Sequence, residues 1–208
     1  VTPLGGRLGL QERAEWAFDQ ADIGRVKTIV IFGRGDLHNR FTRYPSLSDQ
    51  LNLMADHLGR VAELASERDI QLGLLPHLDY RGYEMVSVME KVRSPALKLA
   101  FDTSNSFPVC EDPVEAGKVV LPHSVAVALK DVQIYPQRSN EVTIWGTPIG
   151  QGSVDFDRIF PMLNERLLFP EKTTACIKLR LPPNSNRHGD WMEQSLVFLR
   201  LHPDFTFT

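Results

Sequence analysis

The sequence predicts an α/β protein of the (β/α)8 barrel type, on three observations. Five short apolar runs alternate with segments of helical pattern, an order typical of parallel βα units. The predicted strands carry bulky apolar residues in one phase and small or polar residues in the other. Charged and polar side chains follow the strands directly, at the edge where such barrels carry their sites. About the last five units of such a barrel are visible in the chain.

Each element is predicted from its local pattern. A helix over 10–23 ends before Gly24, a residue type that favours the left-handed backbone of a helix C-terminus. The β-branched run VKTIVIF at 26–32 predicts the first strand, and a helix over 48–68 follows it. Ser153 is placed to cap a helix over 154–168. The other predicted strands are 70–75, 97–101, 124–130 and 174–179, and the other helices are 82–92, 112–120 and 190–201.

The two phases of the strands favour a closed barrel over an open sheet. In LKLAF, Leu97, Leu99 and Phe101 alternate with Lys98 and Ala100, and the two later strands alternate in the same way. Parallel strands of an open sheet are usually apolar on both faces. Small or polar residues that face one another fit the confined interior of a barrel. A doubly wound open sheet is the alternative.

Composition narrows the class of protein. The formal net charge of −3 and the pI near 6.1 provide no general attraction to nucleic acid or to an anionic membrane. No apolar run approaches the ~18 residues of a membrane-spanning helix. The two cysteines, Cys110 and Cys176, lack the spacing of a metal site. We therefore expect a reduced, cytoplasmic protein.

The chain is expected to form one domain over 1–208 that lacks its N-terminal part. A (β/α) barrel needs eight units and typically ~250 residues, whereas five units are visible here. The sequence also begins with Val1 and not with Met. A five-unit arc would leave two strand edges unpaired, which makes a homo-oligomer possible.

The carboxyl ends of the predicted strands converge on a candidate site. The stretch GLLPHLDY shows the pattern, because a buried strand stops at Pro76 and a polar segment follows at once. For His77 alone, a position that caps a loop is the simpler explanation, and Asp102 could equally satisfy nearby backbone amides. The residues that the inward phase brings to this edge are Leu75, His77, Asp102, Ala128, Lys130, Lys178 and Arg180.

Five segments, in chain order, resemble the second half of a xylose isomerase-like TIM barrel: LLPHLDYRGYEM, SPALKLAFDTSNSF, VAVALKDV, GTPIGQGSVDF and TACIKLRLP. The resemblance covers nearly the whole chain, from about the fourth barrel strand to the eighth. That superfamily includes sugar-phosphate isomerases and epimerases, related sugar-acid enzymes and enzymes of the endonuclease IV type. For enzymes of the endonuclease IV type we would expect a basic face and several more histidine ligands, and neither is evident in this sequence.

The resemblance implies a divalent metal (Mn²⁺, Mg²⁺, Co²⁺ or Zn²⁺) held by a glutamate, an aspartate, a histidine and a second glutamate. Carried over residue by residue, these positions are Leu75, Asp102, Ala128 and Lys178. Only Asp102 matches. In the epimerase branches of the family, the two glutamates also move the substrate proton. Leu75 and Lys178 stand at these two positions and cannot do so, which leaves the catalytic residues of this chain unknown.

The substitutions predict a site without metal. Leucine and alanine cannot bind a hard cation, and Lys178 brings a positive charge to the place of the ion. We expect Lys178 to pair with Asp102, because a buried carboxylate without a partner is costly. No cofactor is therefore expected in this chain. The polar residues that remain, and that we expect to bind a small sugar or sugar acid, are His77, Asn105, Lys130, Asp131 and Arg180.

Two further segments leave alternatives open. In GTPIGQGS, Gly150 and Gly152 precede a predicted helix, where many barrels hold phosphate, but a tight turn also needs glycine. The loop after the first predicted strand is basic and aromatic, which suits an anionic ligand or simply a solvated loop. Its residues are Arg34, His38, Arg40, Phe41, Arg43 and Tyr44.

Three hypotheses of function follow. The first is a sugar or sugar-phosphate isomerase or epimerase that acts at the mouth of the barrel on a small sugar or sugar acid, with a related sugar-acid lyase as a variant. The second is a non-catalytic relative that keeps a small-molecule site or an interaction surface. A nucleic-acid enzyme is the least supported. The resemblance favours the first as ancestry, and the substituted ligands favour the second for this chain.

Overall fold

The structure is a computed structural model, which describes residues 2–3, 9–33, 37–138, 141–167, 173–181 and 185–206. Its strands are β1 (Thr2–Pro3), β2 (Thr28–Phe32), β3 (Gln71–Leu75), β4 (Leu97–Asp102), β5 (Ser124–Leu129), β6 (Asp131–Pro136), β7 (Val142–Thr147) and β8 (Thr174–Ile177). Its α-helices are α1 (Leu10–Gly24), α2 (Leu37–Arg40), α3 (Leu47–Glu67), α4 (Gly82–Val92), α5 (Pro113–Val120), α6 (Phe156–Arg166) and α7 (His188–Leu201). Two short 3₁₀ turns lie at Phe107–Val109 and Leu121–His123.

Six strands form one parallel sheet in the order β1-β2-β3-β4-β5-β8. Each of the five predicted strands is present, joined to the next by a helix, so the sheet is an arc of βα units. The pairing continues one bond past β8, because the amide of Lys178 donates to the carbonyl of Leu129 at 2.9 Å. All these strands therefore present their carboxyl ends at one edge.

The segment between β5 and α6, for which we predicted neither strand nor helix, contains a two-stranded antiparallel hairpin. β6 pairs with β7 from Asp131↔Thr147 to Pro136↔Val142. It contains several β-branched and aromatic residues, and Ile134 lies opposite Ile144 in the ladder. The hairpin follows Lys130 directly, so it rises from the edge where the parallel strands end.

The two faces of the sheet differ as the phases predicted, except at the start of β5. Leu97, Leu99 and Phe101 are buried in the main core that the helices cover, whereas Ala100 lies in a separate small cluster on the other face. In the predicted alternation of this strand, Val125 faces the helices together with Val127 and Leu129. The register of β4 and β5 shifts between Leu99 and Ala100, which pair with Ser124 and Ala126, so Val125 has no partner in β4. Its side chain instead lies on the face of Ala100, because both would contact a Cβ at Gly73, at 3.3 Å.

Two helix-capping residues lie one or two positions from where we predicted them. The left-handed position after α1 is Arg25, with φ 53°, and Gly24 is the last helical residue. The cap of α6 is Asp155, whose carboxylate accepts from the amide of Arg158 at 3.2 Å. Ser153 instead accepts a hydrogen bond from the amide of Ile134 in β6.

Within the described residues, no helix has the length and apolar character needed to cross a membrane.

Candidate functional site

The register of the sheet brings the predicted positions together. Asp102 is the last residue of β4 and lies beside Ala128 of β5, which lies beside Cys176 of β8. These three residues form one row across the carboxyl edge. Leu75, the last residue of β3, is packed in the small apolar cluster with Ala100 and Ala126.

Asp102 is the centre of a buried charged cluster. Its carboxylate lies 3.2 Å from Nζ of Lys130 and 3.3 Å from Nζ of Lys178, one lysine on each oxygen. The amide of Ser104 donates to the same oxygen as Lys130, at 3.1 Å. The exposed fraction of the Asp102 side chain is 0%. The expected contact between Lys178 and Asp102 is therefore present, and Lys130 is a second partner that we did not predict.

Lys130 is held on every side by polar groups. Its side chain, 5% exposed, also donates to Oδ1 of Asn105, and the Asn105 amide donates in turn to the carbonyl of Pro76. The hydroxyl of Thr103 accepts from the backbone amide of Lys130 at 2.8 Å. Burial lowers the pKa of the Lys130 ammonium. The positive charges of Lys178 and Arg180 add to this shift, and the negative charge of Asp102 opposes it. The site thus holds this cation rigidly.

Lys178 and Arg180 provide the accessible positive charge. The side chain of Lys178 is 36% exposed, because it reaches Asp102 from the segment after β8. Arg180 is exposed, and its backbone carbonyl lies so close to β7 that a methyl group at Gly146 would overlap it. The hairpin therefore packs on the segment that carries both cations.

The ring of His77 stacks on Phe32, with the ring centres 4.7 Å apart and the planes inclined by 22°. Phe32 ends β2 and packs on the small apolar cluster, so the two rings stand at the same edge of the sheet. The pair places an aromatic surface at this edge. This contact gives His77 a packing role that the sequence did not indicate.

Asp131 faces a loop and not the charged cluster. Its side chain is almost fully buried and accepts four hydrogen bonds from backbone amides, of Val132, Gly150, Gly152 and Val154. Burial raises the pKa of this carboxyl, and the four hydrogen bonds oppose the shift. We expected Asp131 to bind the ligand, but three of its four donors belong to the loop between β7 and α6, and the fourth is the amide of Val132 in β6.

The basic, aromatic loop is partly structural. The guanidinium of Arg40 makes a two-point contact with the carboxylate of Glu84, at 2.7 and 3.0 Å, at the start of α4. Phe41 and Tyr44 are exposed. Arg34 lies outside the described residues. Arg40 thus forms an ion pair within the protein, whereas Phe41 and Tyr44 remain accessible to solvent.

Comparison with known proteins agrees with this geometry. The family model of the xylose isomerase-like TIM barrel matches residues 12–177. The chain belongs to this family. The fold predicted from the sequence, an α/β barrel of TIM type seen in part, is therefore confirmed.

Three proteins show the range of similarity. A xylose isomerase-like TIM barrel protein from Mycobacterium smegmatis, solved with magnesium, superimposes with a TM-score of 0.71 and 16% identity, over 95% of this chain and 68% of that one. D-allulose 3-epimerase from Methylomonas sp. superimposes with a TM-score of 0.66 and 14% identity, over 91% of this chain and 68% of the epimerase. The uncharacterized protein YihM of Escherichia coli K12 is 28% identical over 130 residues, which are 62% of this chain and 40% of YihM.

The residues of this family member do not fit a divalent metal at the expected place. The position beside Asp102 carries the methyl group of Ala128, and Leu75 lies in an apolar cluster. Both oxygens of Asp102 already face a lysine ammonium. Among the described residues no group of three or more His, Cys, Asp and Glu side chains could hold an ion. A hard cation needs several oxygen or imidazole ligands, which this arrangement does not offer.

Sequence reasoning missed the roles of Thr103 and Ser104. Both are buried polar residues in the run Asp-Thr-Ser-Asn that follows β4, and each hydrogen-bonds to a member of the charged cluster. A signal was available, because four polar residues in succession after a buried strand need partners. Cys176 also ends in the row of Asp102 and Ala128.

Proposed function

We propose that this protein binds a small sugar or sugar acid at the carboxyl edge of β3, β4, β5 and β8 without a divalent metal. We propose further that it is a non-catalytic descendant of sugar isomerases or epimerases. The observation that carries the proposal is the pairing of Asp102 with Lys130 and Lys178 at 3.2 and 3.3 Å. The ammonium group of Lys178 then takes over the charge of the ion and keeps the buried carboxylate neutralised.

The charge balance of the edge supports an anionic ligand. Lys130, Lys178 and Arg180 carry three positive charges, and Asp102 carries one negative charge. The carboxylate of a sugar acid would find the exposed part of Lys178 and the guanidinium of Arg180 within the same segment. The stacked rings of His77 and Phe32 offer an aromatic face on which the C–H groups of a sugar could pack.

The loss of the family chemistry follows from the same residues. Isomerisation or epimerisation requires a group that removes a proton and a group that returns it. The two glutamate positions of the family carry Leu75 and Lys178, and neither is a carboxylate. An active isomerase or epimerase remains the second candidate, because the family model matches most of the chain.

Thermal-shift titration tests the ligand. The probes are gluconate, an anionic sugar acid, and glucose, its neutral counterpart, at matched ionic strength. We expect gluconate to raise the melting temperature more than glucose, and Arg180→Ala to remove the difference. The matched control is Lys118→Ala, which removes an exposed cation paired with Glu115 on α5. If Arg180→Ala leaves every shift intact, the assignment of the edge is wrong.

Metal analysis separates the two candidates. Protein purified without chelator should contain no stoichiometric Mn²⁺, Mg²⁺, Co²⁺ or Zn²⁺ and should show very low epimerase activity. Stoichiometric metal that disappears in Asp102→Ala would favour the active enzyme. As a positive control, the variant with Leu75→Glu, Ala128→His and Lys178→Glu restores the family ligands. It should gain stability on addition of Mn²⁺, by about 2.7 kcal/mol at a hundredfold excess over the dissociation constant.

A further inference from the structure

The charged cluster holds one cation more than its carboxylate needs. Oδ1 of Asp102 faces Nζ of Lys130 at 3.2 Å and accepts from the amide of Ser104 at 3.1 Å. Nζ of Lys178 lies 3.3 Å from the other oxygen, Oδ2. Lys130 alone therefore balances the charge of Asp102, and Lys178 can leave the carboxylate, or lose its charge, without leaving a buried anion unpaired.

The two lysines differ in what can reach them. The side chain of Lys130 is buried and also donates to Oδ1 of Asn105, so its nitrogen is enclosed by protein atoms. The side chain of Lys178 is partly exposed, since it comes from the segment after β8. An amine reacts with a carbonyl carbon only if that carbon can reach it, so Lys178 is the amine of the cluster that is available to a ligand.

Arg180 provides a site for a carboxylate beside this amine. It follows Lys178 by two residues and is exposed. Burial lowers the pKa of Lys130 most, and the positive charges of both Lys178 and Arg180 lower it further, so the two side chains lie near the same point. A guanidinium group binds a carboxylate by two parallel hydrogen bonds. An acid held in this way would present a neighbouring carbonyl group to Lys178.

We propose that Lys178 forms a reversible imine with a small oxo acid, such as the open-chain keto form of a sugar acid, whose carboxylate is bound by Arg180. A lysine next to another cationic group in a desolvated site is a known kind of imine-forming nucleophile. The choice of an acid as ligand rests on the proposed function, whereas the reactive amine rests on the geometry of the cluster. The bond captures the ligand and requires no turnover.

The reaction balances without any oxidant or reductant. The ammonium group of Lys178 gives a proton to Oδ2 of Asp102, and the free electron pair of Nζ forms a bond to the carbonyl carbon. The carbonyl oxygen takes up protons, its bond to carbon breaks, and it leaves as water. Of the three ammonium protons, two leave with the water and one stays on the imine nitrogen. The product is a cation, which keeps its contact with Asp102.

Reductive trapping tests the proposal on the wild-type protein. Pyruvate and sodium cyanoborohydride are added, and the modified lysine is located by mass spectrometry of peptides. We expect Lys178 to gain the mass of one pyruvic acid less one oxygen atom. Lactate, which has no ketone, should give no adduct. Hydroxyacetone, a neutral ketone of similar size, should label Lys178 roughly tenfold more slowly, because it lacks the carboxylate that binds Arg180.

Three variants locate the reaction. Lys178→Arg keeps a cation beside Asp102 but has no amine that forms an imine, so the adduct should disappear. Lys118→Arg is the matched control at an exposed ion pair and should leave the labelling of Lys178 unchanged. Arg180→Ala should remove the preference for pyruvate over hydroxyacetone. Labelling of Lys118 as fast as that of Lys178, or an adduct at Lys130 in place of Lys178, would overturn the assignment.

The thermal-shift titration with gluconate and glucose distinguishes this inference from the proposed function. Stabilisation by gluconate without any adduct at Lys178 would overturn the imine and leave the proposed function in place. An adduct at Lys178 in a protein that neither gluconate nor glucose stabilises would support the imine and refute the binding of a sugar or sugar acid.

Discussion

Removal of the Asp102 carboxylate should destabilise the protein far more than removal of the charge of its partly exposed partner, Lys178. At 3.2 Å and an effective dielectric constant of ~20, each lysine contributes an attraction of about 5 kcal/mol before desolvation is counted. Asp102→Ala leaves two ammonium groups facing each other without a counter-ion, and one of them, Lys130, is buried. Breaking a buried ion pair by removing one partner costs about 3–5 kcal/mol. We therefore expect Asp102→Ala to lower the free energy of unfolding by about this amount.

Lys178→Met should cost much less, although its distance to Asp102 is nearly the same. The variant leaves a neutral pair of Lys130 and Asp102, and solvent already screens the partly exposed Lys178. We expect a loss of about 1 kcal/mol or less. The double variant Asp102→Ala with Lys178→Met should lose roughly 1 kcal/mol less than the sum of the single losses, because the repulsion between the two lysines is gone.

The assay is urea unfolding followed by tryptophan fluorescence, with Lys118→Met as the control for an exposed ion pair. The control should stay within ~0.5 kcal/mol of the wild type. In thermal unfolding, Asp102→Ala should lower the melting temperature by roughly 6–20 °C for a chain of this size. A loss below about 1 kcal/mol for Asp102→Ala, or an equal loss for Lys178→Met, would show that the cluster is not the buried, charge-balanced unit described above.

Two further predictions concern α4, which follows β3. Burial raises the pKa of the Glu111 carboxyl, and the hydrogen bond from the Gly82 amide only partly offsets this shift. Between the unfolded and the raised pKa, the folded protein therefore holds a proton that the unfolded chain has released. Stability should therefore fall as the pH rises from about 4.3 through the raised pKa, and Glu111→Gln should flatten this part of the profile; an unchanged slope would contradict it. Arg40→Met removes the two-point partner of the buried Glu84 carboxylate and should cost about 3 kcal/mol in urea unfolding, whereas a loss below ~1 kcal/mol would mean that the remaining hydrogen bonds suffice.

The elements that local pattern determines were predictable, and those that depend on tertiary contacts were not. Runs such as VKTIVIF form strands because β-branched residues favour that backbone and the apolar phase is buried. The hairpin at 131–147 was missed because polar and apolar residues mix in it and Pro136 interrupts the pattern. Its stability comes from cross-strand pairs and from the loop around Asp131, neither of which is visible in a single strand.

The site shows the same division. The strand phases placed Asp102, Ala128 and Lys178 at one edge, and the structure has them there. The contact of Lys130 with Asp102 could not be predicted, because Lys130 comes one residue after β5 and its direction depends on the hydrogen bonds of Thr103. The role of Asp131 was misjudged for a related reason. A carboxylate beside a lysine at a strand end suggests a ligand, and three of its four donors come from a loop some twenty residues later, whose fold the sequence does not show.

Two carboxylates of the edge, Asp102 and Asp131, are stabilised by different means, and the difference affects what the edge can bind. Asp102 faces two ammonium groups, so its charge is balanced by side chains, one of which remains partly exposed to a ligand. Asp131 faces backbone amides, which cannot move to another partner without unfolding the loop. Among the described residues, Lys178 and Arg180 are accessible at this edge, whereas Asp102 and Asp131 are buried. Such a surface favours an anion, and the positions of the two proton-moving glutamates of the family carry Leu75 and Lys178. Binding without family-type turnover is therefore the activity that we propose.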